Sequence, residues 1–164
     1  RIEGHPFGLI ANDSRHLGGA IDGDGGEKGG RFLQLCDAYG LPIISLCDTP
    51  GFMVGPDSEK TAAVRRGSRL IVASANLSVP LFTIIVRKGY GLGAQAMAGG
   101  SFHEPFFTIA WPTAELGPMG LEGAVELGFS KELAAAKNET ERDVLYEQLL
   151  AGMYEKGKGV SDSP

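Results

Sequence analysis

The stretch RKGYGLGAQAM, Arg87 to Met97, sets three glycines within five residues, directly after the apolar run VPLFTIIV. Glycine costs about 0.5–1 kcal/mol in regular structure, so a tight turn or the close approach of another atom has to offset it. At the start of a helix the first N–H groups have no acceptor in the helix itself, and the helix dipole adds partial positive charge. Main-chain donors so placed stabilise a carboxylate, a phosphate, an enolate or a developing oxyanion. Two further stretches have the same character, DTPGF (48 to 52) and PTAELGPMG (112 to 120).

GLGAQA (91 to 96) also fits the G-x-G-x-x-A form of a dinucleotide fingerprint. That reading needs an acid at the end of the next strand to hold a ribose, whereas FFTIAW runs into Pro112 and Thr113, and Glu115 comes too late. RKGY also separates the apolar run from the glycines. Neither a P-loop nor a G-x-S-x-G nucleophile elbow occurs in the chain.

Elements that could carry these loops alternate along the sequence. FGLIAN (7 to 12) reads as a strand, and a glycine-rich stretch then leads to a helix over about 26 to 39 with Phe32, Leu33, Leu35 and Cys36 at helical spacing. LPIISLC (41 to 47) reads as a buried strand, and TAAVRRGSRLIVASANL as a helix that Pro80 cannot continue. LFTIIV (81 to 86) leads to a short helix near 92 to 98, and PFFTIAW (105 to 111) to a helix near 120 to 127. Asn138 with Glu141 forms a capping box before Leu145, Leu149 and Met153, beside Tyr146, Leu150 and Tyr154, a broad apolar helix face. Repeated strand, loop and helix units imply a parallel sheet or spiral whose functional loops gather at the carboxyl ends of the strands.

Bulk properties narrow the class. With 164 residues and 43% hydrophobic content the chain fits one globular domain with a real core, taken as 1 to 158, and GKGVSDSP reads as a fraying end with 159 to 164 as a flexible tail. A net charge of −5 without a basic run argues against nucleic acid. The apolar runs are strand length rather than membrane length, so the expectation is a cytoplasmic protein without a membrane partner. Cys36 and Cys47 lack metal or disulfide spacing and read as buried apolar residues, and His5, His16 and His103 form no ligand pattern, so no metal is expected.

Taken together, LQLCDAYGLPIISLCDTPGF, RKGYGLGAQAM and AWPTAELGPMGLEGAV resemble the carboxyltransferase (β-type) subunit of biotin-dependent acyl-CoA carboxylases, such as propionyl-CoA and acetyl-CoA carboxylase. The resemblance runs over about residues 4 to 158, with three separated motifs in order. It implies an α/β, crotonase-like ββα superhelix, the core of the second of two related domains. The first domain would bind the acyl-CoA and the second the biotin, with catalysis between domains of opposing subunits.

Carried onto this chain, the resemblance sets an oxyanion hole at the backbone N–H groups of Leu92 and Gly93. It places Pro50, Gly51, Phe52, Tyr90, Gly91 and Gln95 along the substrate. Gln95 stands where relatives carry aspartate or an aliphatic residue that influences acyl-chain choice, which leaves the chain length open. The implied reaction moves CO₂ from carboxybiotin to the α-carbon of a short acyl-CoA, acetyl or propionyl, and needs no side-chain nucleophile. No Met-Lys-Met biotinylation site and no ATP loop occur, so a biotin carrier and a biotin carboxylase are expected as partners, together with homo-oligomerisation up to a hexamer. The alternative is a catalytically silent crotonase-like module that binds acyl-CoA or serves assembly.

Other residues carry plainer expectations. Asp48 before Thr-Pro-Gly reads as a turn former, Arg65, Arg66 and Arg69 as a solvated helix face, and Trp111 as core packing beside Pro112. Gly93→Ala keeps the N–H and is expected to be the mild counterpart of Gly93→Pro.

Overall fold

The computed structural model describes residues 1–136 and 138–157. The apolar runs become strands β1 (Gly8–Ala11), β2 (Ile43–Thr49), β3 (Leu81–Tyr90) and β4 (Phe107–Ala110), with a short β5 (Glu115–Gly117). Helices α1 (Gly23–Ala38), α2 (Pro56–Lys60), α3 (Ala63–Ala75) and α4 (Gly91–Ala96) lie in the connections between strands, and α5 (Leu121–Gly128), α6 (Ser130–Ala134) and α7 (Glu139–Gly157) follow β5. The tail expected at 159 to 164 lies outside the described residues. Among the described residues no helix is long and apolar enough to cross a membrane.

The sheet is parallel throughout, in the order β1-β2-β3-β4, with β5 paired to the far end of β3. Strands are therefore added in sequence order on one side. Right-handed crossovers then carry every connecting helix over the same face. Ile43, Cys47, Leu81 and Ile85 are buried on that face together with Leu33 and Cys36 of α1 and Leu70 and Ala73 of α3. The opposite face carries Leu9, Ile44, Phe82, Ile84, Phe107 and Ile109 in matching register, and Leu9, Phe107 and Ile109 are exposed. Trp111 continues the alternation of β4 onto this face and is 57% exposed, so the expected core packing of Trp111 is corrected.

Helix α1 begins before the expected position 26. Asp22 caps it by accepting from the Gly25 N–H at 2.7 Å, and its glycines are a packing surface. A Cβ on Gly26 would lie 2.8 Å from the Cα of Gly67 in α3, so the two helices cross backbone to backbone. Arg66 bridges the same crossing to Asp24 and to Glu27, and Arg69 also reaches Glu27 at 3.2 Å. Arg66, half-buried, is tied into the α1–α3 pair, whereas Arg69 keeps the solvated position expected of it.

Asn138 caps α7, accepting from the Glu141 N–H at 2.8 Å. Helix α7 packs on α5, α6 and β5, with Leu145, Leu149, Met153 and Tyr154 half-buried. Both cysteines are buried and unpaired with each other, and burial pushes the Cys47 thiol up to about 12.

Candidate functional site

Strand β3 does not stop at Val86. It continues through Arg87, Lys88, Gly89 and Tyr90, so the residues expected to separate strand from glycines are strand themselves, and α4 starts at Gly91 without an intervening loop. After a register shift between Cys47 and Thr49, the last part of β3 pairs with Thr49 of β2 on one side and with β5 on the other. Residue Ile21 adds a further bridge to Phe52, with the Ile21 N–H donating to the Gly51 carbonyl at 3.0 Å and the Met53 N–H to the Ile21 carbonyl at 2.8 Å. Backbone pairing thus draws the DTPGF, GYGLG and TAELGP segments together from three crossovers.

The glycines are where these segments touch. Gly91 has φ +58°, and a Cβ on it would lie 2.8 Å from the carbonyl oxygen of Pro118. A Cβ on Gly93 would lie 2.7 Å from the Cα and carbonyl carbon of Gly51. Only hydrogen fits at either place, which is the physical need behind the bare backbone after VPLFTIIV. It also corrects the expectation for Gly93→Ala: that substitution keeps the donor but drives a methyl group into the main chain of a neighbouring loop.

Leu92 and Gly93 lie in the first turn of α4, where N–H groups have no acceptor within the helix. The Leu92 side chain is 63% exposed, and Gly93 is buried. Gln95 is half-buried on the same helix, and its carbonyl accepts from Ala98 and Gly100 where the helix ends. Thr49 Oγ1 accepts the Gly51 N–H at 3.1 Å and holds the Pro50–Gly51 turn. The ring of Phe52 lies against Gly67 of α3, about where a Cβ there would meet it at 3.0 Å, so its side chain serves the core.

Tyr90 is 2% exposed, and its hydroxyl donates to Glu115 Oε2 at 2.6 Å. Burial first, and then that carboxylate, push its phenol well above the ordinary tyrosine range. The Tyr90 hydroxyl is thus directed to Glu115 of β5.

Asp48 is no local turn former. Its Oδ1 accepts from the Lys88 N–H at 3.2 Å and from Arg87 Nε at 3.1 Å, tying β2 to β3 where the strands diverge. A cavity of about 650 Å³ opens between the end of β1, the turn at Leu17–Gly19 and α1, lined among others by His16, Asp22, Lys28 and Met97. It includes none of residues 90 to 95, so the donor turn and this hollow are separate features. His16 Nε2 lies 3.3 Å from Asp22 Oδ2 beside it.

A spiral of parallel strands without a point where the strand order reverses has no crevice of the dinucleotide-binding kind. What it offers instead is a group of main-chain N–H groups at the start of α4, where successive crossovers meet. The chain belongs to the carboxyl transferase domain family, whose model matches residues 1–158. It is 40% identical over 149 residues, 90% of the chain and 29% of the relative, to the propionyl-CoA carboxylase carboxyltransferase subunit of Haloferax mediterranei. Among solved structures it is similar to a single-chain, multi-domain long-chain acyl-CoA carboxylase, with TM-score 0.85 and 59% identity over 96% of this chain and 15% of that one. It is also similar to the transcarboxylase 12S hexamer with methylmalonyl-coenzyme A bound, with TM-score 0.80 and 30% identity over 93% of this chain and 28% of that one. The fold is crotonase-like, as its motifs implied. The chain spans less than a third of the length of these relatives.

Proposed function

We propose that this chain is the second, biotin-receiving domain of a biotin-dependent acyl-CoA carboxyltransferase, and that it moves CO₂ from carboxybiotin to the α-carbon of an acyl-CoA. The observation that carries this reading is the meeting of three crossovers at the start of α4 in a chain of the carboxyl transferase family. Carboxybiotin is a substrate here, delivered by a partner, and supplies both the carbon dioxide and the base that removes the α-proton. The N–H groups of Leu92 and Gly93 donate to its ureido carbonyl oxygen, where negative charge grows as the N–C bond to CO₂ breaks. One such donor is worth about 2.7–4 kcal/mol of transition-state stabilisation. Main-chain donors on a packed turn suit this task because they need no reorganisation as the charge develops.

The acyl-CoA site belongs on this reading to a preceding related domain of the whole protein, so activity needs both domains, a biotin carrier and a biotin carboxylase. The transcarboxylase relative forms a hexamer assembly, and the exposed sheet face supports homo-oligomerisation here as well. Acyl-CoA and carrier chemistry support a cytoplasmic protein on this reading. A short acyl chain is the first expectation for substrate, in line with the Haloferax relative. The 59% identity to a long-chain acyl-CoA carboxylase favours a second reading with a longer chain.

The test is transfer of ¹⁴C from carboxylated carrier to acetyl-, propionyl- and long-chain acyl-CoA by the assembled protein. Label in the acyl-CoA supports the reading, and the preferred chain length chooses between the two substrates. Tight acyl-CoA binding without any transfer would show the silent module instead.

A further inference from the structure

We infer that Tyr90 and Glu115 are a positioning pair for the donor turn, holding the Leu92 and Gly93 N–H groups from behind. This rests on the carboxyl-transfer reading of those two residues. Among the described residues, strand β5 pairs only with the last three residues of β3, matching Lys88 with Glu115, Gly89 with Leu116 and Tyr90 with Gly117. The Tyr90 ring lies over Gly117, 3.4 Å from where a Cβ there would be. Its hydroxyl then reaches Glu115, two residues back on the same strand, at 2.6 Å. One residue further on, Gly91 rests on the Pro118 carbonyl.

Residues 115 to 118 therefore form one wall of the turn, and Gly51 against Gly93 forms the other. A hydroxyl-to-carboxylate bond of 2.6 Å falls in the short, charge-assisted range. It is made by the residue that caps α4, so movement of the Tyr90 ring is movement of the donors two and three positions on. The layer behind is tied as well, since Tyr154 of α7 donates to Glu122 of α5 at 3.0 Å and α7 packs on β5.

In the assembled protein, Tyr90→Phe keeps the ring and loses the bond. Turnover at saturating substrate is expected to fall about tenfold, while KM for acyl-CoA, bound elsewhere, stays within about twofold. Glu115→Ala should match it, and the double variant should be no slower than either single one. Glu115→Gln, which still offers an acceptor oxygen, should recover at least about a third of the wild-type rate.

Amide hydrogen exchange at Met97, whose N–H donates to the Gly93 carbonyl at 3.1 Å, should rise about tenfold in Tyr90→Phe, with the α1 amides unchanged. That measurement needs no turnover, so a wild-type protein without carboxyl transfer would overturn the functional reading and leave the pairing separately measured. If Tyr90→Phe does not fold, the two Glu115 variants report the same contact. Unchanged exchange and turnover, or losses that multiply in the double variant, would overturn the inference.

Discussion

Gly93 and Gly51 meet backbone against backbone, so that the start of α4 and the turn after β2 have room for hydrogen and nothing larger between them. The donor turn is thereby locked to a second crossover 42 positions away in sequence.

Replacing Gly93 by alanine puts a methyl group 2.7 Å from main-chain atoms that cannot rotate away. Carboxyl transfer by the assembled protein should fall by at least about 100-fold, the scale of losing one oxyanion donor. Gly93→Pro, which also deletes the N–H, should abolish it. Circular dichroism and oligomer size decide whether the variants are folded. A folded alanine variant with wild-type turnover would show that this contact does not set the site.

The phenol of Tyr90 gives a signature in alkali. Its folded-state pKa is raised by burial and by Glu115, so its contribution to stability is complete below the unfolded value near ~10 and is lost as pH rises through the higher folded value. Tyr90→Phe should therefore show a shallower loss of stability above about pH 10 than the wild type. Ultraviolet difference titration should show one fewer late-ionising phenol. Loss of a phenol that titrates with the exposed tyrosines would contradict the buried pair.

Asp37, near the end of α1, holds the loop before β3. Its Oδ1 accepts from the Ser78 N–H at 2.7 Å, the Ser78 hydroxyl at 2.9 Å and the Val79 N–H at 3.1 Å, and the Ser78 N–H is the main reason its carboxyl is held below the usual range. Because the folded pKa is depressed, the contribution is present above about pH 4 and is lost as pH falls through the folded value. Asp37→Ala should cost about 1 kcal/mol near neutral pH, discounted for exposure. The two proteins should converge in acid. A difference that persists there would mean the side chain acts by packing.

The uncovered sheet face should associate. Leu9, Phe107 and Ile109 lie exposed on it, in line with Ile44, Phe82 and Ile84, and a parallel sheet is ordinarily covered on both faces. Sedimentation at micromolar concentration should give an oligomer, and Phe107→Asp with Ile109→Asp should shift it to smaller species. A wild-type monomer would count against association through this face.

Much of the framework is local and could be read from the chain. Runs such as LPIISLC and LFTIIV are too apolar and too short to be anything but buried strands, and Asn138 marks the start of α7 by its own side-chain chemistry. Helical spacing gave α3 and the core residues Leu33 and Cys36 of α1. Three motifs in order were sufficient to indicate the family, and the glycines of GYGLG marked where something must come close.

What came close was decided by the tertiary structure. Glu115 lies 25 positions from Tyr90, and nothing in TAEL announces a strand: the three residues of β5 are extended because β3 offers them a partner. Asp48 prefers the main chain of β3 to its own turn for the same reason, and Arg66 meets two acids that are distant in sequence. Trp111 is exposed because same-handed crossovers put every connecting helix on the other face. Periodicity and capping act over a turn or two of chain, so they specify elements. The distance between two backbones depends on how successive crossovers stack, and that is where Gly93 finds Gly51.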